Sequence, residues 1–386
     1  MTDFTKTTLL GSFPFEGSWP IAITFVGIDK VVSGNRKGDV FVWDLPKEPA
    51  KKDAPPHFPT LQLKGHTNAI SGVAATANGK TVITSSLDRT VRKWSLAEKQ
   101  TEKAEVILDL QARQAEAKKK RNDDALKRPG VEVAVHSKPT TISTFKDWAM
   151  SLSISADESH IISGDGTSQV RVNAVNSGET VSEWTGHSWN WAVSSALSAD
   201  GKTALVSEYR NPRGDFDRPA AALKLWDVAT SKVKLDLLQI MFPKMKPNDS
   251  SYGSAGVWRK FVGRGLLGAC FSPDGKLVAV GKGGETDTGK VSLFSTETGK
   301  LEKSISGHRY GVTDVKFSQD SEHILSVGRD TMVRITRIKD GKEVAVLGKS
   351  RGGQFKDWLS SVAISPDEKH IAAADIAGLI HVWRIG

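Results

Sequence analysis

Histidine and cysteine are the residues of this chain best suited to metal binding or nucleophilic catalysis, and they are scattered. The single cysteine, Cys270, rules out an internal disulfide and a cysteine-based metal cluster. It lies in an apolar run, where we interpret it as a small buried hydrophobic residue. The nine histidines do not cluster, and the chain contains no His-Glu-x-x-His, Gly-x-Ser-x-Gly or phosphate-loop motif. We therefore assign no catalytic residue and infer no metal or cofactor.

Tryptophan, tyrosine and arginine are enriched in protein-interaction hot spots, and tryptophan recurs here at a regular position. Trp148, Trp191 and Trp358 each stand nine residues before an acidic residue of a recurring polar turn, and Trp19 falls at the equivalent place of a degenerate segment. The other copies have small residues there, namely Ala69, Gly265 and Gly311. Bulk is thus not required at this position. We predict that at least two of these tryptophans contact a partner; the alternative is that they pack between neighbouring structural units.

Further candidates for partner contact lie near the aligned tryptophans or in long loops beside them. They are Trp189, Tyr209, Arg210, Arg213, Trp258 and Arg329. The chain is basic, with a formal net charge of +9 at pH 7, which favours acidic partners, nucleic acid included. Interleaved aromatic and basic residues suit single-stranded nucleic acid, because bases stack on indole rings.

The elements that position these residues come from a repeat, which decides the fold. A polar turn recurs between two apolar runs, with anchors at Asn78, Asp157, Asp200, Asp274, Asp320 and Asp367. The spacings between successive anchors are 79, 43, 74, 46 and 47 residues, so three lie close to one period and two equal that period plus about 30 residues. A degenerate seventh copy comes first, with its turn at Ile28-Asp29-Lys30.

Each copy contains short runs in which apolar and polar residues alternate, the period-2 pattern of β-strands. The third run ends in an aromatic residue, as in Val40-Phe41-Val42-Trp43-Asp44. Four short strands in each of seven copies predict the blades of a β-propeller.

With these features the chain resembles the WD-repeat family across nearly its whole length. The matching motifs are Gly65-His66, Gly186-His187 and Gly307-His308 at strand starts, Ser272-Pro273-Asp274 and Ser365-Pro366-Asp367 in the first hairpin, and Trp43-Asp44 and Trp226-Asp227 at third-strand ends. The resemblance implies an all-β fold, a seven-bladed propeller of four-stranded antiparallel blades. It also implies that the N-terminal strand completes the last blade, which closes the ring without exposed sheet edges.

We accordingly expect a single domain over residues 1–386, with the closing strand at 5–13. The expected blades span 17–63, 65–145, 146–185, 186–240, 265–306, 307–348 and 355–386, with a connection at 241–264. Blade 2 carries an insert at 97–138 and blade 4 an insert at 209–221. The resemblance places the aligned tryptophans around the top mouth of the central channel, the blade 4 insert and the connection on that same face, and the blade 2 insert at the bottom.

The blade 2 insert holds 10 basic and 8 acidic residues. Residues 111–121 are rich in helix formers, and Pro129-Gly130 follows, which predicts a helix. The basic run from Lys118 to Arg121 could contact nucleic acid or an acidic protein. The composition favours a solvated, partly helical excursion.

The resemblance also implies a buried hydrogen-bond network in blade 2, formed by His66, Ser85 or Ser86, Asp88 and Trp94. Such a network suits a core only if every member is satisfied. Blade 6 keeps His308 and Asp330 but has Thr336 in place of the tryptophan, and blade 3 has Asn173 there. We expect apolar packing alone to hold those two blades.

These features together indicate a non-catalytic scaffold for protein–protein interaction that binds a partner peptide or subunit on its top face. Two alternatives stay open: a nucleic-acid-binding propeller that uses basic and aromatic top-face inserts, and a propeller enzyme of the lactonase or quinoprotein type. No run approaches the ~18 apolar residues of a membrane helix, and the first residues lack the apolar segment of a secretory signal. We expect no membrane insertion and a cytoplasmic location.

Overall fold

The alternating apolar runs of each repeat form short strands that pair in antiparallel sheets. The computed structural model of the protein describes residues 2–15, 20–51, 54–97, 100–187, 190–210, 221–243, 266–284, 289–348 and 358–386. Seven sheets surround a central channel, and the innermost strand of each contacts the innermost strands of both neighbours. The predicted seven-bladed propeller is confirmed.

Each blade has four strands, of which the first named lies at the channel and the last named at the outer edge. Blade 1 has β2 (Pro20–Val26), β3 (Lys30–Asn35), β4 (Val40–Asp44) and β5 (Leu61–Leu63). Blade 2 has β6 (Ile70–Ala75), β7 (Thr81–Ser86), β8 (Thr90–Ser95) and β11 (Thr140–Thr144). Blade 3 has β12 (Ala149–Ile154), β13 (His160–Asp165), β14 (Gln169–Ala174) and β15 (Thr180–Thr185).

Blade 4 has β16 (Asn190–Leu197), β17 (Thr203–Arg210), β18 (Ala221–Asp227) and β19 (Lys232–Asp236), followed by the short helix α3 (Leu237–Met241). Blade 5 has β20 (Leu266–Phe271), β21 (Leu277–Lys282), β22 (Gly289–Ser295) and β23 (Leu301–His308). Blade 6 has β24 (Val312–Phe317), β25 (His323–Gly328), β26 (Val333–Arg337) and β27 (Glu343–Leu347). Blade 7 has β28 (Leu359–Ile364), β29 (His370–Asp375), β30 (Leu379–Ile385) and β1 (Thr7–Pro14). We call the face with the turns between first and second strands the bottom face, and the opposite one the top face.

The ring closes through β1, which pairs with β30 and supplies the outer strand of blade 7, as predicted. Leu10 and Phe13 are buried, each with 1% exposure, in a core cluster shared by blades 7 and 1. The Phe15 N–H donates to the Gly378 carbonyl oxygen at 2.8 Å, which continues the pairing beyond the strand. Closure therefore rests on both backbone pairing and apolar burial.

Every innermost strand carries a β-bulge near its first residue. A bulge bends the strand and redirects one side chain. Three bulged residues have hydroxyl groups, and each donates to a carbonyl oxygen at the start of the next blade. These bonds run from Ser71 to Ala149 (2.6 Å), from Thr313 to Leu359 (2.5 Å) and from Ser360 to Pro20 (2.7 Å). The bulges thus provide hydrogen bonds between blades.

The recurring turn residues, Asn78 and five aspartates, stabilise the bottom turns. A hydroxyl two residues earlier donates to each of them, in the pairs Thr76–Asn78 (2.7 Å), Ser155–Asp157 (2.6 Å), Ser198–Asp200 (2.7 Å), Ser272–Asp274 (2.6 Å), Ser318–Asp320 (2.5 Å) and Ser365–Asp367 (2.6 Å). Short polar side chains that bond locally in this way favour tight turns. The strongest periodic signal in the sequence is therefore a turn requirement.

The insert of blade 2 is partly helical and largely exposed along its helices, as predicted, but it also packs on a neighbouring blade. It contains β9 (Glu102–Val106), α1 (Leu110–Lys120), α2 (Asp124–Lys127) and β10 (Val131–His136), so the predicted helix is present. β10 pairs in parallel with β5 and antiparallel with β9, which extends the sheet of blade 1 to six strands. Leu108 and Val133 are buried in the same core cluster as Trp43 of blade 1. The insert stays folded because it supplies these apolar side chains to a neighbouring blade.

The two long top-face connections fall mostly outside the described residues. β17 ends at Arg210 and β18 begins at Ala221, so only the ends of the insert at 209–221 are described. After α3 the description stops at Pro243 and resumes at Leu266.

We predict that Phe13→Ala lowers the free energy of unfolding by about 3–5 kcal/mol, because a fully buried aromatic ring leaves a cavity at the closing strand. Leu9→Ala is the matched control on the same strand, since Leu9 is 47% exposed, and it should change stability by about 0.5 kcal/mol or less. Urea unfolding followed by tryptophan fluorescence measures both. Equal losses would show that the closing strand does not depend on its buried face.

Candidate functional site

The residue just before the bulged part of each innermost strand occupies one structural position on the top face. In four blades its carbonyl oxygen accepts the backbone N–H of the residue that follows the second strand. These bonds run from Leu87 to Ala69 (2.8 Å), Gly166 to Trp148 (2.9 Å), Arg329 to Gly311 (3.0 Å) and Ile376 to Trp358 (2.9 Å). We call this the rim position. The nine-residue alignment of the sequence thus corresponds to one place in the fold.

Trp358 and Arg329 meet at the top mouth of the channel, between blades 7 and 6. The guanidinium carbon of Arg329 lies 4.1 Å from the centroid of the Trp358 ring, well within the range of a cation–π interaction. Both side chains line the central channel, a cavity of about 600 Å³. The structure therefore brings these two candidates together.

Trp148 and Trp191 hold rim positions in the adjacent blades 3 and 4. The Trp148 side chain is 39% exposed, whereas Trp191 is partly buried and pairs across the sheet with Tyr209. Neither belongs to the described lining of the channel. Because blade 7 is three blades away from blade 3 around the ring, these tryptophans lie across the mouth from Trp358. The aligned tryptophans are thus divided between two parts of the rim.

The remaining candidates fall at or beyond the ends of the described segments. Trp19, Trp189, Arg213 and Trp258 lie outside the described residues, and Arg210 is described only as the last backbone position of β17.

The hydrogen-bond network of blade 2 is present, with one member corrected. His66 Nδ1 lies 2.7 Å from Asp88 Oδ2, and His66 Nε2 lies 2.7 Å from the hydroxyl of Thr84, which also accepts the Trp94 indole N–H at 3.0 Å. The assignment of Ser85 or Ser86 to this place is wrong. Val82 pairs directly with Trp94, and strand alternation puts residue 84, not 85, on the same face as that indole.

The bonding order of this network follows from the donor capacity of each group. Thr84 accepts from Trp94, so its own hydroxyl hydrogen is directed to His66 Nε2, and Nδ1 is left to donate to Asp88. Burial opposes ionisation of Asp88, yet hydrogen bonds from His66, Thr90 and the Thr67 N–H hold its pKa below the ordinary value. All four groups are satisfied, which makes this polar cluster compatible with a core.

Two further blades have polar contacts where we expected apolar packing alone. In blade 6, His308 bonds to Asp330 at 2.9 Å and to the Ser326 hydroxyl at 2.9 Å. In blade 3, Asn173 accepts from the Ser143 hydroxyl at 3.0 Å and donates to Thr180 at 3.1 Å. The expectation fails because the hydroxyl partners Ser326, Ser143 and Thr180 come from neighbouring strands, which the third-strand residue alone does not reveal.

The profile of the WD domain, G-beta repeat, matches residues 58–95 and 299–336. The chain is a seven-bladed β-propeller with WD repeats at these two positions. The two matched segments are those that contain the His66–Asp88 and His308–Asp330 pairs. Both matches to the family profile thus fall on blades in which a histidine at the strand start bonds to an aspartate.

Curated relatives match part of the WD-repeat propeller. It is 33% identical over 118 residues to "Autophagy-related protein 16" of Arabidopsis thaliana, 31% over 117 residues to "WD repeat and SOCS box-containing protein 1" of Homo sapiens, and 35% over 83 residues to "Meiotic recombination protein rec14" of Schizosaccharomyces pombe. These alignments cover 30%, 30% and 21% of this chain. They span 22%, 26% and 26% of the respective relatives, so the chain covers about a quarter of each relative's length.

One pair of top-face residues in this propeller was missed from the sequence. Arg309 is exposed, and its guanidinium carbon lies 5.4 Å from the Tyr310 ring centroid. The Arg309 N–H donates to Asp330 at 3.1 Å, which ties the pair to the blade 6 network. Tyr310 directly precedes Gly311 at the rim position. An alignment that allowed a shift of one residue could have found it.

The channel wall offers little for nucleophilic or metal chemistry. Cys270 lines the channel, and burial raises the pKa of its thiol to about 12, so it stays protonated and unreactive at neutral pH. Within the described part of the chain, no three His, Cys, Asp or Glu side chains are grouped so as to hold a metal ion. No helix among the described residues is long and apolar enough to cross a membrane.

Blade 4 has a buried carboxyl group at its top end. Glu208 is 1% exposed and accepts the His187 N–H at 3.0 Å, with the Asn190 side-chain N–H at 3.4 Å. Burial raises the pKa of Glu208 above its ordinary value, against the lowering effect of the His187 N–H. The Asn190 Oδ1 atom is buried, and no described group donates to it.

We predict that Thr84→Val lowers the free energy of unfolding by about 2 kcal/mol, because His66 and Trp94 lose one shared hydrogen-bond partner in the core. Ser85→Ala is the matched control, since the Ser85 hydroxyl bonds to Ser71 at 2.8 Å outside this network, and it should cost about 1 kcal/mol or less. Denaturant unfolding measures both. If Ser85→Ala is the more damaging change, Thr84 is not the shared partner.

We also predict that Glu208→Gln stabilises the protein at pH 7 by about 1 kcal/mol, on the scale of one hydrogen bond. The unfolded chain releases the Glu208 proton near the ordinary pKa of 4.5, and the folded chain releases it only at the raised value. The folded state therefore loses stability as pH rises between these two values. The glutamine amide does not ionise in this pH range and has no such loss. Urea unfolding at pH 7 and at pH 4 should show the gain only at pH 7, with the exposed Glu302→Gln unchanged as control. A destabilised variant at pH 7 would mean that the ionised carboxylate is required.

Proposed function

We propose that this WD-repeat propeller is a non-catalytic scaffold that holds a segment of a partner protein on its top face. WD-repeat propellers fit an interaction scaffold in general. The finer proposal concerns where the partner lies and which side chains hold it.

The contact that carries this proposal is the stacked pair of Trp358 and Arg329 at the channel mouth, with 4.1 Å between guanidinium and ring centroid. Tryptophan and arginine dominate binding hot spots, particularly where a pocket lets them be desolvated. The Arg329 backbone N–H is bonded to the Gly311 carbonyl at 3.0 Å, and its guanidinium is stacked on Trp358, so both ends of this residue are held before a partner arrives. Pre-positioned side chains lose less conformational entropy on binding.

Two further aromatic groups extend this site. Tyr310, with Arg309 beside it, lies on the top face of blade 6, the blade that adjoins Trp358. Trp148 offers an exposed indole across the mouth. We propose that a partner segment crosses the mouth between these points, so that Trp358 is its central anchor and Trp148 a peripheral one. Trp19, Trp189, Trp191, Tyr209, Arg210, Arg213 and Trp258 stay candidates for the remaining contacts.

The test is affinity capture from native lysate with the full-length wild type, Trp358→Ala, Trp148→Ala and the control Ile28→Ala, quantified by mass spectrometry. Ile28 is 54% exposed in a bottom turn, so its variant removes apolar surface from the opposite face. We expect a protein partner whose recovery falls about tenfold or more with Trp358→Ala, less with Trp148→Ala and not with Ile28→Ala.

Two outcomes would contradict the proposal. Unchanged recovery with both tryptophan variants, after equal melting temperatures are confirmed, would move the site away from the top face. Recovery that disappears on nuclease treatment, with binding that weakens steeply as salt rises, would favour the nucleic-acid alternative.

A further inference from the structure

A second surface lies at the outer edge of blade 1, on the insert that carries α1 and α2. β10 runs parallel to β5, which in turn is antiparallel to β4, so β10 begins near the bottom face. The two helices connect β9 to this end of β10 and therefore lie toward the bottom face, away from the top-face site. A role for this surface is thus independent of the function proposed for the top face.

Exposed apolar side chains are concentrated on this insert. Ile107, Leu110 and Leu126 are 47%, 42% and 39% exposed. Among the described residues eight large hydrophobic side chains are exposed, and these three fall within one stretch of 20 residues. Single exposed apolar residues are ordinary, whereas a concentration of them indicates a contact surface.

The same insert carries uncompensated positive charge. Residues 113–128 include seven basic and three acidic residues. Glu116 is bound by Lys120 at 2.8 Å and by Arg128, so its charge is already neutralised. Lys118, Lys119 and Arg121 are exposed, and no ion pair links them to an acidic group in the described part of the chain. They are available to an acidic partner.

The surface is rigid enough to bind without large reorganisation. Arg113 is 4% exposed, and its guanidinium donates to Asp109 at 2.7 Å and to the carbonyl oxygens of Arg128 and Pro129, the latter at 2.9 Å. These bonds join the start of α1 to the end of α2. The pairing of β10 with β5 fixes the unit to the ring, which lowers the entropy lost on binding.

We propose that this surface docks an acidic amphipathic helix of a partner protein. The apolar face of that helix covers Leu110 and Leu126, and its carboxylates pair with Lys118, Lys119 and Arg121. Helix-in-groove recognition of this kind uses apolar anchors at i, i+3, i+4 and i+7. Single-stranded nucleic acid fits less well, because residues 97–138 contain no Phe, Trp or Tyr on which a base could stack, and because a phosphate backbone would leave the leucines in water.

The test uses two fluorescein-labelled peptides of identical Leu, Glu and Ala composition and the oligonucleotide (dT)16. One peptide places its leucines on one helical face, and the other spreads them around the helix. Fluorescence anisotropy with the full-length protein should show at least tenfold tighter binding of the first peptide. Two variants, Leu110→Ser with Leu126→Ser and Lys118→Glu with Lys119→Glu, should each weaken that binding at least tenfold.

The matched control is Lys232→Glu with Val233→Ser, which makes the same kinds of change on the exposed outer strand of blade 4, where Val233 is 43% exposed. It should leave affinity within twofold of wild type. All changed residues are exposed, so the melting temperatures should agree, and the lysine variant still tests the proposal if the leucine variant unfolds.

Equal binding of the two peptides, or insert variants that bind like the control, would overturn the proposal. Tighter binding of (dT)16 than of either peptide, lost with the lysine variant, would assign the surface to nucleic acid.

Discussion

The propeller depends on the closure of its ring by β1 and β30. In the described part of the chain each blade packs against its two neighbours, so an open ring would expose two sheet faces and an unpaired strand edge, both prone to association. The ladder between β1 and β30 removes these surfaces together, because the same strand that completes the hydrogen bonding of blade 7 buries Leu10 and Phe13 against blade 1. The rim positions are fixed relative to one another only because this ring is closed.

The contacts between blades explain why the top face can vary without loss of the fold. The bulged hydroxyl groups of Ser71, Thr313 and Ser360 bond to backbone carbonyl oxygens of the next blade, and the rim residues are held through their own backbone carbonyls. Neither kind of bond uses a rim side chain. Alanine, glycine and tryptophan therefore occupy the same backbone position in different blades, and the residues that specify the ring are not those that would specify a partner.

The sequence was sufficient for features that depend on local chemistry. The turn residues, the alternating strands and the helix of the insert follow from neighbouring residues, and the number of blades follows from the repeat period.

Features that depend on contacts between distant segments were missed. Thr84 is the instructive case: strand alternation against Trp94 identifies it, but only once the pairing of Val82 with Trp94 is known. The placement of β10 on blade 1 depends on parallel pairing with a strand about 70 residues earlier, and no local pattern encodes it. The stacking of Arg329 on Trp358 joins two blades and was likewise invisible, although both residues were named.

The placement of the insert also affects the order in which the chain can assemble as it leaves the ribosome. β5 receives its outer neighbour β10 only after β6 to β8 of blade 2 have been synthesised, so the sheet of blade 1 stays incomplete while its successor is made. β1 waits longer still, since its partner β30 is the last strand of the ring to be made. Leu10 and Phe13 therefore lack the blade 7 part of their core cluster until that strand has been made. During that interval the edge of β1 is unpaired and can pair with a strand of another molecule.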